Sequence, residues 1–220
     1  MTQVNIAQAR FNMIEQQIRP WEVLDPRVLE VLAVVPREDF VAEAQRELAF
    51  ADLELPLGHG ETMLAPKMAG RILQAVGVRA GDKVLEVGTG SGFLTACLAK
   101  FGARVVSVER EEEFTATAKA RLEAHGLGDV ALETGDATLG WPAAAPYDVI
   151  VLTGSLPELP QPLLDQLKIG GRLFAVVGRG PVMEALLVTR VGEQGYSRRS
   201  LFDTVLPPLT QAAPGNRFVF

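Results

Sequence analysis

Apolar and polar positions change rhythm twice along this chain. From about Ile6 to Leu48, apolar residues recur at helical spacing in short runs punctuated by Pro20, Pro26 and Pro36. This predicts helices separated by "RPWEVLDPR" and "VPREDF". Asp25 reads as an N-cap and Pro26 as the first helical residue of "DPRVLEVLAVV", a position where the missing N–H of proline costs nothing. The segment "LGHGETMLAPKM" (57–68) follows. It carries Gly58 and Gly60, turns polar at Glu61 and Thr62 and apolar at Met63 and Leu64, and ends with Pro66 placed to open a helix from Lys67 to about Val76. The pattern is that of a loop forming the lid or wall of a site whose other parts lie elsewhere in the chain.

Beyond it, near-continuous apolar runs at 83–89, 104–110, 130–136, 147–154 and 172–178 alternate with helical patterns near 91–101, 112–125 and 160–168. Strands buried on both faces and alternating with helices predict a parallel sheet covered on both sides. After Gly178 the alternation stops. "MEALLVTRVG" and "YSRRSLFDTVLP", with only "EQG" between them, predict an antiparallel hairpin. The expected fold is α/β: a doubly wound, mostly parallel, seven-stranded Rossmann-like sheet with a C-terminal antiparallel hairpin and an N-terminal helical layer. Residues 1–78 form that layer and the loop, packed on a core of residues 79–220, in a single structural domain.

Composition narrows the partners. Hydrophobic residues make up 48% and charged residues 22% of the 220, as in an ordinary globular chain. A net charge of -6 argues against nucleic acid or an anionic membrane, because such binders rely on dense Lys and Arg. Cys97, the one cysteine, supplies neither an internal disulfide nor a metal cluster, and its place in "FLTACLAKF" predicts a buried apolar thiol. No metal is expected. No apolar stretch reaches the ~18 residues of a membrane span and no signal-type segment opens the chain, so the expected location is cytoplasmic.

The candidate chemistry begins in "VLEVGTGSGFLTACLA", where Gly88, Gly90 and Gly92 fall between the first core strand and its helix. At this carboxyl edge open α/β sheets bind ligands, and glycine lets the backbone approach one closely. The run is G-x-G-x-G, without the third glycine of the dinucleotide fingerprint, and Glu86 stands two positions before it. That carboxylate suits a ligand bearing a positive ammonium better than a pyrophosphate, which makes a nicotinamide dehydrogenase the least favoured reading. Glu109 ends the second strand, where a carboxylate accepts from ribose hydroxyls in NAD and S-adenosylmethionine sites alike. Asp136 ends the third, within reach of an adenine amine. His59 faces the expected site, and His125 reads as a solvated helix cap.

With "LEVGTGSGFLTA", "VSVER", "TGDATLGWPAAAPYDVIVLTG" and "LPQPLLDQLKIGGRLFAVVG" in order, the chain resembles the class I S-adenosylmethionine-dependent methyltransferases. "MIEQQIRP", "VLDPRVLEVLAVVPREDFV" and "AFADLELPLGHGETMLAP" extend the likeness to the protein-L-isoaspartate O-methyltransferase family, over roughly residues 10 to 180. The resemblance implies S-adenosyl-L-methionine as cofactor, protein repair as the role, and a protein or peptide bearing an isoaspartyl carboxylate as substrate, handled by a monomer or weak homodimer. It places Glu86, Gly88, Thr89, Gly90, Ser91, Gly92, Glu109, Arg110, Asp136, Ala137 and Thr153 at cofactor positions, and Thr62, Leu64 and His59 in the active-site segment. Leu64 stands where the family has its serine. "VTAAAP" of the family is here "LTGSLP" (152–157).

Methyl transfer from a sulfonium to an already ionised carboxylate needs no general base. Positioning and removal of water carry the catalysis, consistent with a chain that offers no Ser/His/Asp or Cys/His arrangement. Three functions follow. The first is an isoaspartyl carboxyl methyltransferase in which Thr62 or Ser155 replaces the lost hydroxyl. The second is a methyltransferase of the same fold with a more apolar small-molecule or protein acceptor, walled by Met63 and Leu64. The third is a non-catalytic S-adenosylmethionine-binding protein. The apolar ending Phe218, Val219 and Phe220 is expected to pack on the sheet edge.

Overall fold

A computed structural model describes residues 5–209, so the expectation for Phe218 to Phe220 lies outside the described residues. Helix α1 (Ile6–Met13) is capped by Asn5, whose side chain accepts from the Gln8 N–H, and continues into a π-turn over Ile14–Ile18. Helix α2 (Pro26–Val34) begins as predicted, with Asp25 accepting from the Arg27 N–H at 2.9 Å and Pro26 in the first turn. It buries Val28, Leu29, Val31 and Leu32.

The segment read as a loop is a small hairpin. Strand β1 (Leu55–Gly58) pairs antiparallel with β2 (Glu61–Met63). Its turn needs positive φ at three successive residues, 111° at Gly58, 52° at His59 and 81° at Gly60, a region costly for side chains with a Cβ. That is why His59 is flanked by glycines. Helix α3 (Pro66–Val76) follows.

The main sheet is built from β3 (Lys83–Val87), β4 (Arg104–Glu109), β5 (Ala131–Thr134), β6 (Tyr147–Leu156), β7 (Leu167–Arg179), β8 (Val182–Arg190) and β9 (Tyr196–Thr204). Helices α4 (Phe93–Lys100), α5 (Glu112–Ala124) and α6 (Gln161–Asp165) join its parallel strands. The order is β5-β4-β3-β6-β7-β8-β9, with β3 to β7 parallel and the last two strands added antiparallel, as the change of rhythm after Gly178 predicts. Several boundaries shift, and two of the shifts matter. Strand β5 stops at Thr134, so Asp136 lies in the following turn, and β7 starts at Leu167, where pairing with Tyr147 recruits "LKIGG" into the strand.

The apolar runs divide between two faces at a period of two. Val84, Val149, Val151, Phe174 and Val176 join a cluster with α2, α3, α4 and the N-terminal turns, while Leu85, Ile150, Leu152, Leu173 and Ala175 join one around α6. The N-terminal layer thus shares its core with one face of the sheet. The chain reverses its direction of travel across the sheet at β3, which pairs with both β4 and β6. Sheets of this kind open a crevice at the carboxyl ends of such strands. Among the described residues no helix is long and apolar enough to cross a membrane.

Candidate active site

A cleft opens at the carboxyl end of β3. Gly88, Thr89, Gly90 and Ser91 form its floor, and Glu86, Glu109, Arg110 and Thr153 stand around it. Gly88 has φ 92°, and a Cβ built there would lie 2.2 Å from Thr153 Oγ1. The hydroxyl of Thr153 is held against that turn by the carbonyls of Val87 and Gly88, at 2.9 and 2.8 Å. Gly92 lies just outside the wall, at the N-cap of α4, where a Cβ would press on Ala118 at 3.1 Å.

The two strand-end glutamates are held differently. Glu109 is held by three backbone donors: Oε2 accepts from Gly90 N–H at 2.9 Å, and Oε1 from Arg110 N–H and Glu111 N–H at 2.7 and 3.0 Å. It clamps the glycine turn to β4 and keeps some lone-pair capacity toward the cleft. Glu86 is fully buried. Its Oε2 accepts from Thr95 Oγ1 and from Ser107 Oγ, the latter at 2.7 Å, and Thr89 Oγ1 donates in turn to Ser107 at 2.6 Å. Its Oε1 has no partner among the described residues. Burial pushes this carboxyl up to about 7, against the opposing pull of the two hydroxyls. A buried carboxylate oxygen without a donor, in the wall of a cleft, is complementary to a cationic ligand.

The other end is walled by Leu57, Thr62, Met63 and Leu64 of the hairpin segment, by Phe93 and by Arg37. Arg37 is 1% exposed; its Nε donates to Ala49 O at 2.8 Å, its Nη2 to Leu64 O at 2.7 Å, and its guanidinium lies 4.8 Å from the centre of the Phe93 ring. Glu61 lines the mouth, where burial and then the charge of Glu109 raise its carboxyl above the ordinary range. Pro207, Pro208 and Leu209 return from the C-terminal hairpin to close one side, tied to β6 by Ser155 N–H to Pro207 O at 2.8 Å and Leu209 N–H to Ser155 O at 3.0 Å.

The structure thus gathers most of the residues predicted for the site and turns several others away. Asp136 sits on the same rim, since Gly135 N–H bonds Glu109 O at 2.8 Å. Its Oδ1 is occupied by the N–H and hydroxyl of Thr138, which hold its carboxyl below the usual range. Neither it nor Ala137, packed in the core around α6, lines the cleft. His59 is at the exposed tip of the hairpin, 3.0 Å from Glu113 and edge-on to Phe114, outside the cleft wall. Its position follows from the left-handed turn it occupies. The two hydroxyls expected to replace the serine are both engaged: Thr62 Oγ1 donates to Glu54 at 3.0 Å, and the 2% exposed Ser155 donates to Leu206 O at 2.9 Å. His125 is the C-cap of α5, as expected, but half-buried rather than solvated. Its ring stacks on Phe40 at 5.4 Å, and Nε2 lies 3.4 Å from Asp39. Cys97 is buried and unpaired, as expected.

Sequence reasoning missed Arg37, Phe93, Phe114 and the Pro207–Leu209 strap. Arg37 lay in "VPREDF", recognised only as a family signature. Nothing in the local pattern of the strap signals its return to the cleft.

The chain matches the family model described as "Protein-L-isoaspartate(D-aspartate) O-methyltransferase (PCMT)" over residues 8–213. It is 41% identical over 210 residues to Protein-L-isoaspartate O-methyltransferase 1 of Geotalea uraniireducens, covering 95% of this chain and 96% of that one. With the Protein-L-isoaspartate O-methyltransferase of Pseudomonas fluorescens it shares 44% identity, over 84% of this chain and 88% of the relative. Among solved structures, a protein-L-isoaspartate O-methyltransferase superposes with a TM-score of 0.79 at 25% identity; 90% of this chain is covered, and the chain spans 65% of that one. A protein from Plasmodium falciparum, described as a putative protein-L-isoaspartate O-methyltransferase in complex with S-adenosyl-L-homocysteine, shares the fold at a TM-score of 0.79 and 20% identity, covering 94% of this chain and 99% of that one. Glycine turn, paired strand-end acids and hairpin wall therefore sit in a chain that belongs to the protein-L-isoaspartate(D-aspartate) O-methyltransferase family, a family of S-adenosylmethionine-dependent enzymes.

Proposed function

We propose that this protein transfers a methyl group from S-adenosylmethionine to the carboxylate of an isoaspartyl residue in a protein or peptide. The observation that carries the reading is the cleft at the end of β3, where a buried carboxylate with an undonated oxygen, Glu86, lies beside a glycine turn that a Cβ would block. The residues present fit the cofactor. Bound there, it supplies an electrophilic methyl on a sulfonium centre. Gly88, Thr89 and Gly90 let the main chain come close, Glu86 answers positive charge, and Glu109 takes the ribose hydroxyls on its remaining lone pairs. Arg110, Ser91, Thr153 and, through its second oxygen, Asp136 complete the rim.

In this division the glycine turn and strand ends of the 79–220 core hold the cofactor, and residues 1–78 supply most of the acceptor wall, joined there by Phe93 of the core. An isoaspartyl carboxylate is ionised at neutral pH, so the protein's task is to orient it, align it with the methyl and strip its water, which contributes on the order of 7 to 11 kcal/mol in well-oriented reactions. Met63, Leu64 and Phe93 exclude water from the acceptor end.

A second reading rests on Leu64 itself. With no hydroxyl there, and with those of Thr62 and Ser155 engaged, the wall also suits a more apolar acceptor. Transfer of labelled methyl to an isoaspartyl peptide and to its normal aspartyl counterpart decides. Labelling of the isoaspartyl peptide alone supports the first reading, and labelling of neither peptide, with S-adenosylhomocysteine still bound in calorimetry, supports the second. Absence of that binding removes both.

A further inference from the structure

Arg37 is an unusual residue to find where it is. A guanidinium that is 1% exposed normally meets a carboxylate, because a charge taken out of water is costly until it is paired. Among the described residues Arg37 forms no ion pair. Two backbone carbonyls and a ring face surround it, and its Nη1 has no hydrogen-bond partner. Burial lowers it only to about 10, so it stays cationic at neutral pH. It lines the acceptor end of the cleft beside Leu64 and Thr62, the part in which the hairpin offers no uncommitted hydroxyl. Every other buried charge of the cleft wall is an acid, and Arg110, the other cation there, stands at the rim with half its side chain exposed, paired with Glu111.

We propose that Arg37 is the anion receptor for the acceptor: its unpartnered Nη1 edge takes the substrate's carboxylate, the counter-charge this guanidinium lacks. The assignment rests on the carboxyl-transfer reading and deepens it. A carboxylate at that edge supplies both the missing acceptor for Nη1 and the missing negative charge. The bonds of Nε and Nη2 to Ala49 and Leu64 fix the guanidinium plane, so that the anion is received in one orientation. The arrangement also explains how the chain handles a carboxylate with leucine at position 64: a fixed buried cation takes the orienting role of a hydroxyl.

The test exploits charge. The S-adenosylhomocysteine-loaded protein is titrated with an isoaspartyl peptide and with the same peptide as its neutral isoaspartyl methyl ester, in wild type, Arg37→Met and Arg37→Lys. Wild type is expected to prefer the carboxylate by at least about 30-fold. In R37M that ratio falls toward one, and in R37K, which keeps the charge and loses the planar fork, it falls to an intermediate value of roughly tenfold. Affinity for S-adenosylhomocysteine, measured alone, reports that each variant is folded, and R37K keeps the test valid should R37M fail to fold. A residue serving only to brace Ala49 and Leu64 weakens both peptides equally. An unchanged ratio in a variant that still binds S-adenosylhomocysteine overturns the assignment alone. Failure of the wild type to methylate the isoaspartyl peptide overturns the carboxyl-transfer reading and this assignment with it.

Discussion

At the proposed cofactor end of the cleft, the floor comes from one strand, one turn and the tip of the next strand, between Glu86 and Glu109, with Thr153 of β6 as its one distant support. The opposite wall is drawn from Arg37, the 55–64 hairpin segment and Phe93, and the strap at Pro207–Leu209 closes the side against Gly88 and Gly154. The first end is secured by backbone hydrogen bonds, with Glu109 accepting from the N–H groups of Gly90, Arg110 and Glu111. The second is held by contacts between segments far apart in sequence, Arg37 to Leu64 and Ser155 to Pro207 among them. A locally encoded site resists change in its surroundings, whereas an assembled site is retuned by single side chains. The proposed cofactor end is therefore where substitution is expected to abolish function, and the proposed acceptor end where it is expected to alter the substrate.

The largest effect expected is at the floor. Gly88→Ala places a Cβ 2.2 Å from Thr153 Oγ1 at a φ of 92°. The combined clash and strain cost roughly 3 kcal/mol or more, lowering affinity for S-adenosylhomocysteine by about 100-fold or more in calorimetry. A variant that binds normally breaks the idea that this end is backbone-encoded. At the opposite end, Leu64→Ser introduces a charge-assisted donor worth about 1 to 3 kcal/mol. It is expected to raise kcat/KM for an isoaspartyl peptide by roughly 5- to 150-fold, with cofactor affinity unaltered. Should the variant gain nothing, the orienting role lies wholly elsewhere.

Smaller effects sharpen the contrast. Glu86 is raised to about 7 in the folded protein, so ionised Glu86, the form that answers a cationic ligand, accumulates as pH rises. Affinity for S-adenosylmethionine is expected to climb with pH from about 5.5 to 7.5, by at most ~10-fold per unit for one proton, and to flatten in Glu86→Gln. The same sign governs stability. Because the folded protein binds this proton more tightly than the unfolded chain, the stability contributed by Glu86 is fully present below the ordinary carboxyl range. It is lost as pH rises toward 7 in the ligand-free protein, which denaturant titrations at several pH values measure. The smallest effect is at His59. Exposed on the hairpin tip and facing Glu113, it is expected to tolerate His59→Ala with kcat within about twofold, a change of at most ~0.4 kcal/mol in the barrier. A tenfold loss would return it to the site.

The same contrast runs through what was legible. The apolar runs from 83 to 178 announced the parallel sheet because strands buried on both faces leave few polar positions, and the end of that rhythm announced the antiparallel edge. Gly88, Gly90, Glu86 and Glu109 were readable because a strand, a tight turn and a helix in succession place their own residues with little help. His59 misled because its position in the chain puts it near the site while the left-handed turn decides where its side chain goes, and Thr138 likewise takes one oxygen of Asp136, leaving only the second free toward the rim. The 55–63 hairpin escaped notice because two strands this short carry no period.

By itself the sequence determined the sheet, the direction of its strands, the crevice at the end of β3 and the family, all of which follow from periodicities and turn chemistry acting over a few residues. Only the tertiary structure decided that Arg37 is buried without an acid at the acceptor end, that Thr62 and Ser155 have their hydroxyls engaged, and that the chain returns at Pro207–Leu209 to close the wall. Those outcomes depend on which distant groups share a low-dielectric volume, and no local pattern encodes the partner a buried polar atom will find, or fail to find, across the fold.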